Sequence, residues 1–230
     1  MQDKIERILD ALREVQTAPQ NVQNIMWDVQ AASQNVQTAL RDAQVASWGA
    51  QAVLRNKQVT PDKVMIIAID GRCASGKTTL AKKLSEKTGA GVIHMDDFFL
   101  PMELRTRERL SEAGGNVDYE RFAVEVLPYL KQGSEFTYRR FECSRMEMGE
   151  NRVIPAGDLR IVEGAYSCHP RFGEYMTLRV FCDVSPQEQT NRILERNGEE
   201  KLERFVKEWI PMEERYLKEF RVLERADLIV

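Results

Sequence analysis

Hydrophobic positions change their rhythm along the chain, and each change marks a predicted element. Over residues 1–17, Ile5, Ile8, Leu9 and Leu12 share one helical face with charges opposite, and Pro19 interrupts or restarts that helix. A seven-residue rhythm then takes over, to about residue 57. Glutamine recurs at Gln16, Gln23, Gln30, Gln37, Gln44, Gln51 and Gln58. An apolar residue precedes most of them (Val15, Val22, Val29, Val36, Ala43, Ala50), and a second apolar series follows three positions later (Ala18, Ile25, Ala32, Ala39, Ala46, Val53). This is an a/d heptad pattern, and its small alanines suit helices that approach closely.

Between Gln16 and Leu40 the only charged residue is Asp28, so the arm offers almost nothing for catalysis. It lacks the Glu/Lys pairs that normally choose a coiled-coil partner. Three readings stand side by side. The segment folds back as a hairpin on the first helix or on the body of the protein; it self-associates and makes a homo-oligomer; or it is a low-complexity repeat that orders only with a partner. A long helix in a hairpin or oligomer is the preferred expectation, with Trp27 and Trp48 covering an interface off the main seam.

Asn56 to Lys63, containing Thr60-Pro61-Asp62, reads as a boundary, giving a helical arm over 1–60 and a second domain over 61–230. Here the pattern becomes short apolar runs alternating with helical spacing, which predicts an α/β domain. Strands are expected at Val64–Ile69, Val92–Met95, Leu159–Val162, Leu178–Val184 and Ala226–Val230, with an extended segment over Phe136–Phe141. Helices are expected after residue 78, over Phe122–Leu130, over Pro186–Arg196 and over 199–220, the last interrupted at Pro211. Residues 101–121, with Arg105, Arg107, Arg109 and Gly114-Gly115, read as a loop able to close over a substrate. The architecture implied is a three-layer α/β/α P-loop NTPase fold with a mostly parallel sheet, preceded by the helical arm.

Composition alters this little. The 230 residues are 43% hydrophobic and 30% charged, ordinary for a globular protein. A net charge of −3 weighs against general nucleic-acid binding. Cys73, Cys143, Cys168 and Cys182 form no C-x-x-C pair, so neither a zinc site nor a disulfide framework is expected. No apolar run reaches the length of a membrane span, and Asp3, Glu6 and Asp10 are unlike a signal peptide. A cytoplasmic location without membrane contact is the expectation.

The chemistry centres on Gly71-Arg72-Cys73-Ala74-Ser75-Gly76-Lys77-Thr78, which fits G-x-x-x-x-G-K-[ST] between a predicted strand and a predicted helix. The glycines let successive N–H groups turn toward phosphate oxygens, and the helix N-terminus adds partial positive charge. Lys77 supplies a point charge for the β- and γ-phosphates, and Thr78 a hydroxyl for Mg2+. The expected nucleotide-binding set is Gly71, Arg72, Cys73, Ala74, Ser75, Gly76, Lys77, Thr78 and Thr79, with ATP and Mg2+ as ligands. Cys73 is either a loop filler or a thiol made oxidation-sensitive by the helix terminus.

A triphosphate loop alone does not define a reaction. There is no N-K-x-D or D-x-x-G to mark a GTPase and no L-S-G-G-Q transporter signature. A compact kinase needs an acceptor carboxylate, a second pocket and mobile arginines. Asp96 and Asp97 follow the second strand of the domain, where α/β sheets bind ligands. Asp118 and Tyr138 are acceptor-side candidates. Glu163 ends an apolar strand, as a Mg2+, water or substrate contact requires. Arg192 and Arg196 stand four apart on one helix.

These stretches, with His94-Met95-Asp96-Asp97-Phe98-Phe99, Asn116-Val117-Asp118, Val162-Glu163-Gly164-Ala165-Tyr166, Arg192 to Gly198 and Ala226-Asp227-Leu228-Ile229, resemble the uridine kinase / phosphoribulokinase group of P-loop kinases, in its bacterial uridine-kinase-like form. The resemblance covers about residues 62 to 230. It implies ATP-dependent phosphorylation of a hydroxyl, most often the 5′-hydroxyl of a nucleoside such as uridine or cytidine. By the same resemblance Asp96 matches the catalytic base, Asp118 the ligand of the ribose hydroxyls, Tyr138 an aromatic that holds the base, and Arg192 and Arg196 lid arginines. The alternative is a P-loop ATPase or nucleotide-binding module whose helical arm recruits a partner.

Overall fold

A computed structural model describes residues 1–17 and 64–230. The heptad pattern, Trp27, Trp48 and the 56–63 boundary lie outside the described residues, apart from the first repeat at Val15-Gln16. The chain divides into one compact unit of residues 1–8 with 63–230 and another of residues 9–62. Of the second unit, the described part is residues 9–17, which continue helix α1 (Gln2–Thr17). In the first unit, α1 contributes buried Ile5 and Ile8, and Arg7 donates to the Ile229 carbonyl at 3.0 Å. No described helix is long and apolar enough to cross a membrane.

The sheet of the first unit contains β1 (Met65–Gly71), β2 (Gly91–His94), β5 (Leu159–Glu163), β6 (Leu178–Cys182) and β7 (Leu228–Ile229). All are parallel, in the order β2-β5-β1-β6-β7. Strand β1 lies at the centre. Its Ile66, Ile67, Ala68 and Ile69 are fully buried, which is why it reads as an unbroken apolar run rather than an alternation. Register sets the site: Ile69 pairs with Glu163 on one side, and Gly71 pairs with Cys182 on the other. A Cβ on Gly71 would stand 2.1 Å from the Cys182 carbonyl oxygen, and its φ is +133°, so only glycine serves there.

Helix α2 (Lys77–Thr88) leaves the glycine loop, buries Leu80, Ala81 and Leu84, and stops at Gly89. Gly89 turns left-handed at φ 76° and returns its N–H to the Ser85 carbonyl at 2.7 Å. A short 3₁₀ turn, Met95–Phe98, follows β2. The polar stretch 101–121 holds its own helix, α3 (Arg107–Ser111), capped by Thr106. The helix expected over Phe122–Leu130 splits into α4 (Tyr119–Glu125) and α5 (Leu127–Leu130), with a Pro128 ring at the second start. Strands β3 (Phe136–Glu142) and β4 (Glu147–Ile154) form a separate antiparallel hairpin. Arg160, a buried residue of β5, donates to the Pro155 and Ser134 carbonyls at 2.8 and 2.6 Å and so ties the hairpin's base to the sheet.

After β6, α6 (Pro186–Asn197) begins on a Ser185 cap with Pro at its first turn. The region expected as one helix over 199–220 is α7 (Glu199–Arg204), a π turn (Phe205–Trp209) and α8 (Ile210–Glu219). Pro211 has no N–H to give the preceding turn, and the backbone widens just before it.

Candidate active site

The loop between β1 and α2 is shaped as an anion cradle. Ala74 and Gly76 hold positive φ of 58° and 97°, and Ser75 N–H closes a turn on the Arg72 carbonyl at 3.1 Å. The Lys77 ammonium is folded under the loop, donating to the Gly71 and Arg72 carbonyls at 2.7 and 2.8 Å. The hydroxyl of Ser75 is buried inside the loop and has no hydrogen-bond partner. An unpartnered donor among turned N–H groups, a lysine and a helix N-terminus fits a triphosphate.

Thr78 opens α2 and Glu163 closes β5. Adjacency of β1 and β5 brings them together, and the Thr78 hydroxyl donates to Glu163 Oε2 at 3.2 Å. The other Glu163 oxygen stands 2.5 Å from His94 Nδ1, at the end of β2. Two oxygens of this kind suit a hard cation such as Mg2+, which usually takes one or two protein ligands and completes its shell with phosphates and water. Accordingly, no group of three or more His, Cys, Asp or Glu side chains is poised to hold a metal alone among the described residues.

The neighbouring acids Asp96 and Asp97 have different surroundings. Asp96 is exposed on the 3₁₀ turn after β2. Crowding by the surrounding protein, then the negative charges of Glu163 and Asp97, raise its carboxyl above the ordinary range, while Lys77 and His94 oppose the shift. Its turn follows His94, the residue of β2 in register with Glu163. Asp97 is buried. It accepts from the Tyr138 hydroxyl at 2.8 Å and pairs in charge with Arg152, whose Nε stands 2.6 Å away, and with Arg140 at 3.5 Å. It therefore anchors the β3–β4 hairpin to the end of β2.

Tyr138 is buried with its hydroxyl on Asp97 and its ring 5.0 Å from Phe98. Asp118 is also buried and caps α4, accepting from Arg121 N–H at 3.0 Å, with the Arg121 guanidinium 3.5 Å away. Its backbone N–H reaches the Phe98 carbonyl at 2.7 Å, which draws Asp118 to the Asp97–Phe98 turn. Of the two helix arginines, Arg192 lies against the phosphate loop, donating to the Ala74 carbonyl at 3.1 Å. Arg196 turns to Asn197 at 2.9 Å.

Five further residues shape the loop. Buried Asp70 accepts from four donors: Gly71 N–H, Tyr166 N–H, Cys168 N–H and the Tyr216 hydroxyl, at 2.7, 3.2, 2.8 and 2.7 Å. Burial raises its carboxyl above the usual range. Gln189 donates to the Cys73 carbonyl at 3.1 Å, and Glu213 accepts the Cys73 N–H at 2.7 Å. Arg72 is held by Asp183 and, at 2.7 Å, by Glu214. Asp70 is adjacent to the motif and was open to sequence reasoning; Gln189, Glu213 and Glu214 carry no local signal. Of the two readings of Cys73, the loop filler is the one its surroundings favour: burial, with Glu213 beside it, pushes that thiol up to about 12.

Beside Arg72, an open cavity of about 700 Å3 is lined by Pro186, Gln189, Ile210, Asp183 and Ile229, among others.

No family model matches the sequence, and no curated protein matches it. Solved structures do. One, described as a "possible uridine kinase" from Bacillus stearothermophilus, is 20% identical with a TM-score of 0.55, over 77% of this chain and 91% of that one. Another, a "putative fructose transport system kinase" from Silicibacter sp. TM1040, is 21% identical with a TM-score of 0.56, over 73% of this chain and 89% of that one. The fold is that of the P-loop kinases. In this P-loop kinase fold the glycine loop, Glu163 and Asp96 all lie at the carboxyl edge of the parallel sheet, where open α/β sheets hold ligands.

Proposed function

We propose that the protein is an ATP-dependent kinase that transfers the γ-phosphoryl group to a hydroxyl of a small molecule. The observation that carries this reading is the arrangement at the carboxyl edge of the sheet: Lys77 folded under the turned 71–78 loop, Thr78 on Glu163 at 3.2 Å, and Asp96 on the turn that follows His94, the residue of β2 in register with Glu163. A donor loop and an acceptor-side carboxyl at one edge of the sheet are the two halves of a phosphotransfer site. Both solved structures described above carry kinase descriptions, which agrees with it.

In this reading the triphosphate lies on the 71–78 loop, with Lys77 on its β- and γ-phosphates. The adenine occupies the cavity between Pro186, Ile210 and Ile229, which adjoins the loop through Arg72 and Gln189. Thr78 and Glu163 hold Mg2+, which when bound neutralises charge on the phosphates. Asp96 takes the proton of the acceptor hydroxyl. The acceptor oxygen bonds to the γ-phosphorus as its bond to the bridging oxygen breaks, and ADP leaves. Arg192, already on the Ala74 carbonyl, supplies positive charge from α6, with Arg196 one turn further on.

For the acceptor, the resemblance favours a nucleoside, with Asp118 toward the ribose hydroxyls and Tyr138 in the wall beside the base. The test is ADP release from Mg·ATP against a panel of nucleosides, sugars and hydroxy acids. A nucleoside should stimulate turnover most. Stimulation by another alcohol alone would keep the kinase and overturn the nucleoside; stimulation by none would overturn the kinase.

A further inference from the structure

Resting on the ATP-donor reading above, we propose that Glu213 is a positioning residue that gives up its negative charge when the triphosphate arrives, so that donor binding takes up a proton. The Cys73 peptide is gripped from both sides by side chains that are each only 3% exposed: Glu213 of α8 on its N–H and Gln189 of α6 on its carbonyl. An internal carboxylate thus sits against a phosphate loop. Its surroundings are mixed. Lys77 attracts it from the loop; Asp70 at the end of β1 repels it; Tyr166 faces it from the segment after β5. Arg72 is committed to Glu214 and Asp183, and Tyr216, on the same helix, to Asp70, so neither neutralises it. Burial first of all lifts the Glu213 carboxyl to about 7, against the pull of Lys77 and the Cys73 N–H.

A triphosphate adds strong negative charge to the same loop and competes for the same lysine. A nearby negative charge favours the neutral form of a carboxyl, so the bound-state pKa lies above the free-state value. With that ordering the complex holds more protons than its separate parts. Affinity is then greatest below about pH 7 and declines above it, approaching tenfold per pH unit for one linked proton. The protonated carboxyl still accepts from Cys73 through its carbonyl oxygen, so the loop keeps its shape.

The experiment is calorimetric titration of the full chain with Mg·AMP-PNP between pH 6.5 and 8.5, in buffers of different ionisation enthalpy. Wild type should take up close to one proton per nucleotide near pH 8, with Kd rising steeply with pH. Glu213→Gln should take up none, show a nearly flat Kd, and bind at least about tenfold tighter than wild type at pH 8.5. Binding without proton uptake in wild type, or equal uptake in Glu213→Gln, overturns the role of Glu213 alone. Failure to bind at any pH overturns the donor reading, and this proposal with it. The wild-type proton count stands by itself should the variant fold poorly.

Discussion

The Thr78 hydroxyl donates to Glu163 across the β1–β5 pairing, at 3.2 Å, so the first turn of α2 and the last residue of β5 share one point in space. Two segments more than eighty residues apart in the chain meet because Ile69 is in register with Glu163. Glu163→Gln keeps an oxygen for Thr78 but removes the charge a cation needs. Turnover should fall about 100-fold, with half-saturation moving to higher Mg2+. An unchanged Mg2+ titration would remove Glu163 from the metal site.

Asp96→Asn should lower acceptor-dependent ADP release by about 10²- to 10⁴-fold, the usual worth of a general base. AMP-PNP affinity should change little, and equal loss of both would refute the role. Because crowding and Glu163 hold this carboxyl above its ordinary range, and a base must be ionised to act, the wild-type rate should fall as pH drops through that raised value. The acid limb of the rate profile should therefore lie above the usual carboxylate range.

Asp97→Asn should behave differently from its neighbour. It leaves the Arg152 guanidinium, 2.6 Å away, without its charge partner. A loss of about 2 kcal/mol is expected, since one member of a partly buried pair is stranded. Urea unfolding of the two variants makes the comparison: Asp97→Asn shifts the midpoint and Asp96→Asn does not.

His169 packs against Tyr119, Tyr216 and Phe220, accepts the Arg171 N–H and reaches the Ala113 carbonyl. Burial lowers its imidazole from about 6.5 to about 4. Between those values the unfolded chain binds the extra proton, so stability should fall as pH drops from 6.5 toward 4, by at most about 3 kcal/mol. His169→Phe keeps an aromatic ring but cannot titrate. Thermal melts at pH 7 and pH 5 should differ less for it than for wild type; an equal difference would place the titration elsewhere.

Where local pattern and tertiary role coincide, sequence was a good guide. Strand β1 is apolar throughout because it is covered on both faces, and the glycine loop has no other use for its spacing. Gly89 ends α2 as a left-handed cap should. Strand β4 was not foreseen. Glu147-Met148-Gly149-Glu150-Asn151-Arg152 is polar, and its turn uses Met146 at φ 54° where Asn-Gly would have announced a hairpin. Nor do Asp96 and Asp97 differ in sequence: which stays exposed and which anchors the hairpin depends on Tyr138 and Arg152, over forty residues away. Glu213 and Gln189 look like ordinary polar positions on amphipathic helices, and their meaning lies wholly in Cys73, more than a hundred residues earlier.

Asp70 joins the phosphate loop, the segment after β5 and helix α8 through a single carboxylate. With four donors already engaged, it cannot exchange one without exposing another, and so its three segments move as one block or not at all. The phosphate loop is therefore fixed to its neighbours. Any rearrangement around it is left to the parts this knot does not hold: the β3–β4 hairpin hung on Asp97, and the stretch from Gly198 to the π turn before Pro211.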